Sequence, residues 1–449
     1  MDRHQSTSMA NKFQAVLDAD VLNARGKQRG FAKRARLITP FRLGLSVVAS
    51  MATQQVQTIA DLHRQFNELW AFESDYKAFY TQLRTSRSPE FFRTSLCHIM
   101  RQLTMKVLGF EAGEALRACN RLLLQDGSSF ALHKALAEVF PGRFNAVSPA
   151  AVELHCTWDL LQDAPITMAL SPDTDAEHDY RPAPASLRGD VFLADRGSLD
   201  LTSLRDIDRH GGFFLVRSTS HLHPRVIDAY REDGQRLKSC QDRDFQAITS
   251  KFPQQQRAEL AVEGLIEGEP FRGRLSVRWN PETKGFDYLF TNLPQDSYPI
   301  SLICLGYQLR WQVELLFQEW KSYTNLHKFD TEKATICEAL IWASLAASAM
   351  KRFLAHAAEH LLEVVISTRK ASMPSAYDLP KLFRALRYGN GPWYRRAFQE
   401  MIHYLGRNAK RAHPERDART GRSRLGRKPI FQLSDQPSLT DNSAQPVAA

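Results

Sequence analysis

Four polar residues stand at helical spacing within the sequence YQLRWQVELLFQEWK. They are Tyr307, Arg310, Glu314 and Lys321. A helix turns by about 100° per residue, so these four side chains would share an arc of about 60° on one face. The opposite face is apolar and carries Leu309, Val313, Leu316 and Trp320. One carboxylate, two cations and a phenol on one helix face suit a metal ion held beside a phosphate backbone.

Two aspartates follow apolar runs that we predict to be β-strands. Asp126 follows the run RLLLQ and begins the sequence DGSS, and Asp195 follows DVFLA and begins DRGS. Each aspartate is therefore predicted at the carboxyl end of a strand, in a turn that contains a glycine. Asp-Gly and Asp-x-Gly are also ordinary turn sequences, so neither aspartate taken alone indicates a metal ligand.

The order of these acidic residues matters more than any one of them. Two-metal phosphoryl transfer needs carboxylates that converge from different elements, and Mg²⁺ prefers oxygen ligands. A sheet holds a carboxylate at a strand end in a well-defined position. Two aspartates after strands, followed by a glutamate on a later helix, are the pattern on which a metal-site interpretation depends.

The spacing Y-x2-R-x3-E-x6-K resembles the glutamate-bearing helix of the insertion-sequence-four family of DDE transposases. DGSSF, which contains Asp126, is similar to the family's first acidic motif, and FLADRGSL, which contains Asp195, is similar to its second. The resemblance covers about residues 118–325 and, more weakly, the basic N-terminal region. It departs from the family at Ser198, where an aromatic residue is common.

This resemblance implies an α/β fold with a ribonuclease-H-like catalytic domain that contains a β-rich insertion. The family pattern places Asp126, Asp195 and Glu314 as catalytic residues that bind two Mg²⁺ ions, which Mn²⁺ could replace. It places Tyr307, Arg310 and Lys321 on DNA near the cleaved end. Trp279 is a candidate for stacking on an extruded base, although a position in the core is the commoner role of a tryptophan.

The implied activity is that of a transposase of a bacterial insertion sequence. Such an enzyme binds terminal inverted repeats and performs Mg-dependent DNA cleavage and strand transfer, in some relatives through a hairpin on the transposon end. The implied partners are double-stranded DNA, both transposon ends and target, and a second copy of the chain in a synaptic homodimer.

Composition agrees with an intracellular DNA-binding protein. The chain has 449 residues, enough for two or three domains, and a formal net charge of +10 that favours a polyanionic partner. Its six cysteines show no C-x-x-C pair and are predicted to be reduced core residues. We expect no secretory signal, and the apolar stretch from Ala339 to Met350 is too short to cross a membrane. The expected location is cytoplasmic and nucleoid-associated.

The N-terminal region is predicted to be helical and to bind DNA. No acidic residue lies between Asp20 and Asp61, and this gap contains Arg29, Lys33, Arg34 and Arg36. Such a segment suits phosphate contact, or it forms a solvated charged loop. Two predicted helices, Thr58–Asn67 and Asp75–Arg84, could form a helix-turn-helix or part of a plain helical bundle.

Changes in hydrophobic period predict where helical and strand-rich regions begin and end, and the family resemblance implies the role of each. We predict a helical DNA-end-binding region at 1–115, a catalytic domain at 116–218 and 299–360, and a β-rich insertion at 219–298. C-terminal helices follow at 361–408, with a break at Gly389–Pro392, and a basic, disordered tail at 409–449. The predicted strands of the catalytic domain, besides the run before Asp126, are Val152–Trp158, Pro165–Leu170, Asp190–Ala194 and Gly212–Val216.

Three other functions remain open at this stage. A ribonuclease-H-like nuclease without strand transfer would share the three carboxylates, and it would not need the Y-R-E-K face. An inactive transposase remnant would only bind DNA. A serine hydrolase that uses Ser128 or Ser129 is the weakest alternative, because the chain has no G-x-S-x-G elbow.

Overall fold

The computed structural model describes residues 3–32, 37–53, 56–103, 119–144, 146–161, 164–195, 200–218, 223–249, 252, 257–280, 284–310, 317–322, 330–373, 379–389 and 391–412. The predicted tail lies almost entirely outside these ranges.

The described residues between 3 and 103 contain six helices. They are α1 (Arg3–Ala15), α2 (Ala19–Gln28), α3 (Pro40–Thr53), α4 (Ile59–Trp70), α5 (Tyr76–Leu83) and α6 (Ser88–Leu103). A capping box formed by Thr58 and Asp61 begins α4, and the Asp75 side chain caps α5. The two helices predicted at Thr58–Asn67 and Asp75–Arg84 are thus confirmed. Whether they act as a helix-turn-helix stays a prediction.

Ten strands form one mixed sheet. They are β1 (Leu122–Ala131), β2 (Pro141–Phe144), β3 (Ser148–Asp159), β4 (Ala164–Pro172), β5 (Val191–Ala194), β6 (Phe213–Ser218), β7 (Arg225–Arg231), β8 (Ala258–Ile266), β9 (Glu269–Asn280) and β10 (Gly285–Thr291). Their order is β2-β3-β1-β5-β6-β10-β9-β8-β7, and β4 also pairs with β3. The chain is therefore an α/β protein, as predicted.

The direction of the strands changes at the centre of the sheet. β3 pairs antiparallel with both β1 and β4, whereas β5 lies parallel to β1 and to β6. The crossover from β5 to β6 contains helix α7 (Leu201–Arg209). β1 and β5 run in the same direction, and β1 continues to Ala131, beyond the point at which β5 ends.

The strands of the segment 219–298 extend this sheet. β10 pairs antiparallel with β6, and β9, β8 and β7 follow outward in that order. The short helix α8 (Phe245–Ile248) lies between β7 and β8 along the chain. The extension leaves the central strands β1, β5 and β6 flanked by pairing partners on both sides.

Helices complete the C-terminal part. They are α9 (Ile300–Gln308), the helical residues 317–322, α10 (Ala334–Leu362), α11 (Thr368–Ser372), α12 (Leu379–Leu386) and α13 (Pro392–Asn408). The break predicted at Gly389–Pro392 is confirmed. The long helix α10 is mostly buried, and it packs against α6, α3 and α13.

The two faces of the sheet belong to two apolar clusters. Leu122, Leu124 and Leu193 face the larger cluster, which includes α10 and the N-terminal helices. Leu123, Phe192 and Phe214 face the smaller cluster, which includes α7 and the strands β7 to β10. Alternation along each strand assigns every residue of the central strands to one face or the other.

Two further expectations can be compared with the described residues. All six cysteines are free, but Cys97 is exposed, so only the other five occupy the predicted core positions. No helix in the described ranges has the length and apolar character needed to cross a membrane.

Candidate active site

Asp126 lies on β1, and Asp195 directly follows the neighbouring parallel strand β5. Leu124 of β1 pairs with Leu193 of β5, and continuing this register by two residues brings Asp126 opposite Asp195. Leu124 and Leu193 both face the larger apolar cluster, so the two aspartates point to that same face. Residues that are 69 apart in sequence thus form one acidic pair at the point where β5 ends beside β1.

The structure corrects the local setting of Asp126. The sequence DGSS is not a turn, because β1 continues through Asp126 to Ala131 and pairs with β3 throughout. Gly127 has a different role from the predicted bend: a Cβ atom there would lie 2.4 Å from Glu153 Oε1. Asp126 therefore sits where β1 loses its parallel partner β5, and not at the end of β1.

Asp195 matches its prediction more closely. It is the first residue after β5, which ends at Ala194. The Tyr307 hydroxyl donates a hydrogen bond of 3.1 Å to Asp195 Oδ1. Burial, reinforced by the charge of Asp195, raises the pKa of the Tyr307 hydroxyl. The phenol therefore stays protonated and remains a donor at neutral pH.

Arg310 completes the cover over the acidic pair. Arg310 Nη1 lies 3.7 Å from Asp126 Oδ2, and the Arg310 side chain is only 15% exposed. Its guanidinium carbon lies 6.0 Å from the centre of the Tyr307 ring. The end of α9 thus brings one donor to each aspartate, a phenol to Asp195 and a guanidinium to Asp126.

The single helix predicted from Tyr307 to Lys321 does not appear as such in the described residues. Helix α9 ends at Gln308, and Arg310 lies in a turn whose amides bond three residues back. Residues 311–316, which include Glu314, are outside the described ranges, as are Lys33, Arg34, Arg36 and Ser198. Of the apolar face, Leu309 and Trp320 are buried as predicted.

Lys321 approaches β1 from the helical residues 317–322. Its ammonium group donates a hydrogen bond of 2.7 Å to the carbonyl oxygen of Ser129. Burial lowers the pKa of the Lys321 amine, and the nearby Glu153 carboxylate partly opposes that effect. Lys321 therefore reaches the part of β1 that lies beyond Asp126 and past the end of β5.

A buried ion pair anchors the segment that carries Lys321. Glu319 is 4% exposed, and its Oε2 lies 3.3 Å from Nη1 of Arg352 on α10. Its second carboxylate oxygen accepts a hydrogen bond from the hydroxyl of Thr368 at the start of α11. Removing one member of such a buried pair leaves the other charge uncompensated. The anchor therefore ties the position of Lys321 to the helical body of the protein.

Arg217 is a site residue that the sequence analysis missed. Ala194 of β5 pairs with Val216 of β6, so the next position places Arg217 opposite Asp195. Its Nη2 atom lies 3.0 Å from Asp287 on β10, and its charge lowers the pKa of Tyr307 slightly against the effect of burial. The predicted strand Gly212–Val216 ended two residues too early, because β6 continues through Arg217 to Ser218. Aligning β5 and β6 as parallel neighbours would have revealed Arg217.

Two other predicted residues lie apart from this group. Arg29 follows α2, and its Nη1 atom lies 3.6 Å from Glu90 on α6. Trp279 is half-buried on β9, where its ring packs against Phe286 at 5.1 Å between centroids. Its partial exposure agrees with neither a fully buried core tryptophan nor a fully exposed stacking platform.

The acidic pair fits a divalent metal ion by its chemistry. Asp126 and Asp195 present carboxylates from backbone that the sheet holds in place, and carboxylate oxygens are the donors that Mg²⁺ prefers. Within the described ranges no group of three His, Cys, Asp or Glu residues is placed to bind one ion. The third predicted ligand, Glu314, lies outside those ranges.

Comparison with known proteins identifies the family of the chain. The model of a family described as a transposase DDE domain matches residues 117–350, which is more than half of the chain and includes both aspartates and Tyr307 to Lys321. The transposase for insertion sequence element IS231C of Bacillus thuringiensis subsp. berliner is 22% identical over 375 residues, 74% of this chain and 76% of the relative. The IS231B transposase of the same organism is 21% identical over 376 residues, with the same coverage of each chain.

Two further similarities are shorter or looser. The putative transposase InsL for IS186A of Escherichia coli (strain K12) is 30% identical over 93 residues, 21% of this chain and 25% of the relative. The structure of a piggyBac transposase synaptic complex with hairpin DNA matches with a TM-score of 0.41 and 11% identity, covering 88% of this chain and 85% of that chain.

The domain match and the insertion-sequence relatives confirm the resemblance drawn from the Y-R-E-K spacing. The chain belongs to the DDE transposase family and is an enzyme of DNA transposition.

Proposed function

We propose that the chain cleaves DNA at the ends of an insertion sequence and joins those ends to a target, with Asp126, Asp195 and Glu314 as its metal ligands. The observation that carries this proposal is the parallel register of β1 and β5, which places Asp126 opposite Asp195, with Tyr307 hydrogen-bonded to Asp195 and Arg310 beside Asp126. Two carboxylates so placed can share metal ions. The Arg310 guanidinium, which the turn after α9 places beside Asp126, can also contact a phosphate.

The strand order supports a ribonuclease-H-like catalytic domain. The series β4-β3-β1-β5-β6 has three antiparallel strands followed by two parallel ones, and the acidic residues lie on β1 and just after β5. We assign residues 116–218 and 299–360 to this domain, with 219–298 as its β-rich insertion. The regions 1–115 and 361–408 form its helical flanks.

Two Mg²⁺ ions, or Mn²⁺ in their place, would activate the attacking oxygen and stabilise the leaving oxygen at the scissile phosphate when bound. The protein's own residues orient the reactants. The Tyr307 hydroxyl fixes the rotamer of Asp195 by its hydrogen bond. Arg310 can bind a phosphate through two donors, whereas Lys321 acts as a single point charge.

Recognition of the terminal repeats is assigned to the basic N-terminal helices, with Arg29, Lys33, Arg34 and Arg36 on the DNA. The active unit on DNA is a homodimer that holds two transposon ends together. As in some relatives, cleavage of the second DNA strand would pass through a hairpin on the transposon end. Its working environment is the cytoplasm, on the nucleoid.

A joining assay tests this function. The substrate is a duplex that carries the inverted repeat found beside the gene, supplied both intact and with a free 3′-hydroxyl at the end. We expect cleavage of the intact end and transfer of the cut end into plasmid DNA, both dependent on Mg²⁺. Cleavage without joining would indicate a nuclease, and binding without either step would indicate an inactive remnant.

A further inference from the structure

Two exposed aromatic side chains contact each other between α12 and α13. Tyr388 is 61% exposed and Trp393 is 49% exposed, and their ring centroids lie 5.3 Å apart. The guanidinium carbon of Arg387 lies 4.4 Å from the centre of the Tyr388 ring. Arg395 and Arg396, on the first turn of α13, are exposed as well. We call these five residues the aromatic–arginine surface.

Positive charge is concentrated around this surface. Residues 379–412 contain eight lysines and arginines and a single acidic residue, Glu400. That carboxylate already contacts Lys381 and Arg396. The whole chain has a formal net charge of +10, so these 34 residues hold most of its excess of cations. A polyanion would therefore be attracted to this end of the molecule.

Packing keeps the surface in place. On the inner side of α13, the Tyr394 hydroxyl donates a hydrogen bond of 2.6 Å to the carbonyl oxygen of Ala10. Phe398, on the same side, packs against Phe13 at 6.1 Å between ring centroids. Because the inner side is fixed to α1, Trp393 and the two arginines that follow Tyr394 remain on the outer side.

The surface also adjoins the helix pair that was predicted as a possible helix-turn-helix. Arg387 donates a hydrogen bond to the carbonyl oxygen of Leu69 near the end of α4. Arg384 of α12 forms an ion pair with Glu68, one residue earlier. A duplex held by α4 and α5 could therefore continue onto the aromatic–arginine surface.

We propose that the aromatic–arginine surface binds duplex DNA that adjoins the bound transposon end, through the phosphate backbone and without base specificity. Arginines bind phosphates through paired donors, and such contacts carry no sequence information. Tyr388 and Trp393 pack against sugars or enter the minor groove, as apolar side chains of DNA-bending proteins do. A second copy of the chain would bring the same positive charge against this surface, and like charges placed together make a contact between copies the poorer fit. The inference rests on the proposed DNA-end binding.

The test compares three duplexes with the full-length protein. One contains the terminal repeat alone, one extends the repeat inward by several helical turns, and one carries a scrambled extension. We expect Arg395→Gln/Arg396→Gln to weaken binding to both extended duplexes about tenfold and to reduce the salt slope by about two. Tyr388→Ala/Trp393→Ala should weaken the same binding with an unchanged slope, and binding to the repeat alone should not change.

Matched controls are available elsewhere on the surface. Arg272→Gln on β9 removes an exposed arginine, and Phe144→Ala on β2 removes an exposed aromatic residue; neither should alter binding to the extended duplexes. Thermal melting of every variant checks folding. The variants could instead bind all three duplexes normally and only join pre-cut ends to plasmid target DNA less efficiently. That result would assign the surface to target DNA and would overturn our assignment to DNA adjoining the end.

Other outcomes would overturn the proposal altogether. Equal affinities of wild type and variants for all duplexes would do so. A change in sedimentation mass without a change in DNA affinity would identify the surface as a contact between copies. If the wild type does not distinguish the repeat from scrambled DNA, the proposed end recognition fails, while the variants' affinity for a long random duplex still tests this surface.

Discussion

The Tyr307 hydroxyl donates to the Asp195 carboxylate although 112 residues separate them in the chain. This bond gives Tyr307 a role that the family pattern does not assign to it. A hydroxyl that donates to Asp195 cannot give the same proton to a DNA phosphate. Tyr307 therefore orients the Asp195 carboxylate, the proposed metal ligand, in the molecule without DNA.

Replacing Tyr307 by phenylalanine separates these two roles. The variant loses the hydrogen bond to Asp195 but keeps the ring, so the rate of end cleavage should fall about tenfold, the typical effect of losing a bond to a charged acceptor. Affinity for the terminal repeat should stay the same. Gel-shift titration and single-turnover cleavage measure the two quantities. A loss of affinity with an unchanged rate would instead place Tyr307 on the DNA.

Replacing Arg310 is expected to raise the affinity of the protein for metal ions and to lower the rate of DNA cleavage. The cation of Arg310 lies 3.7 Å from Asp126 and would compete with a metal ion for that carboxylate, the proposed ligand. Arg310→Met should therefore raise the Mn²⁺ affinity of the DNA-free protein severalfold, on the scale of about 1 kcal/mol for a screened pair at this distance. The same variant should cleave DNA more slowly because it loses a phosphate contact. Calorimetric titration measures the affinity, and an affinity that falls would contradict the competition.

The pair of Glu319 and Arg352 should affect cleavage through the position of Lys321. Glu319→Gln removes the buried carboxylate that faces Arg352 and loosens the segment that holds Lys321. We expect the cleavage rate per active molecule to fall about tenfold, and we expect Glu319→Gln/Arg352→Met to show a coupling of about 1 kcal/mol or more. Active-site titration corrects for unfolded protein. A rate per active molecule equal to that of the wild type would reduce the pair to a purely stabilising role.

Lys351 gives the helical body a pH dependence of its own. Burial on α10 lowers the pKa of the Lys351 amine to about 7, and its Nζ donates 3.1 Å to the carbonyl oxygen of Ser372. Above this value the folded amine is neutral while the unfolded amine, with a pKa of about 10.4, still binds a proton. The unfolded state then holds more protons, so folding stability rises with pH from about 7 to about 10.

The variant Lys351→Met should lose this contribution. Relative to the variant, the wild type should gain stability by up to about 1.4 kcal/mol per pH unit in that window, and nothing below pH 7, where both states are charged. Melting temperatures of the two proteins at several pH values measure the difference. Parallel curves across the whole range would show that the Lys351 amine titrates normally.

Local sequence predicted those parts of the site that depend on short-range pattern. Apolar runs before Asp126 and Asp195 indicated β1 and β5, and helical spacing placed Leu309 and Trp320 on a buried face. The continuation of β1 past Asp126 was not predictable in this way, because Asp-Gly is common in turns and only pairing with β3 keeps it extended.

Longer-range relationships explain the other omissions. Arg217 joins the site through the parallel register of β5 and β6, and the Glu319 anchor needs Arg352, which lies 33 residues away on another helix. Neither relationship leaves a periodic signal in the sequence. Residues that orient a site through tertiary contacts are therefore the ones that a single sequence conceals.

Counting bound metal ions tests the central claim most directly. Mn²⁺ bound to the protein with a cut transposon end can be measured by electron paramagnetic resonance for the wild type and for Asp126→Asn, Asp195→Asn and Glu314→Gln, with Asp179→Asn on the surface as the control. We predict about two ions per chain for the wild type and the control, and a loss of at least one ion in each of the other variants. Wild-type occupancy in Asp126→Asn and Asp195→Asn would contradict the account.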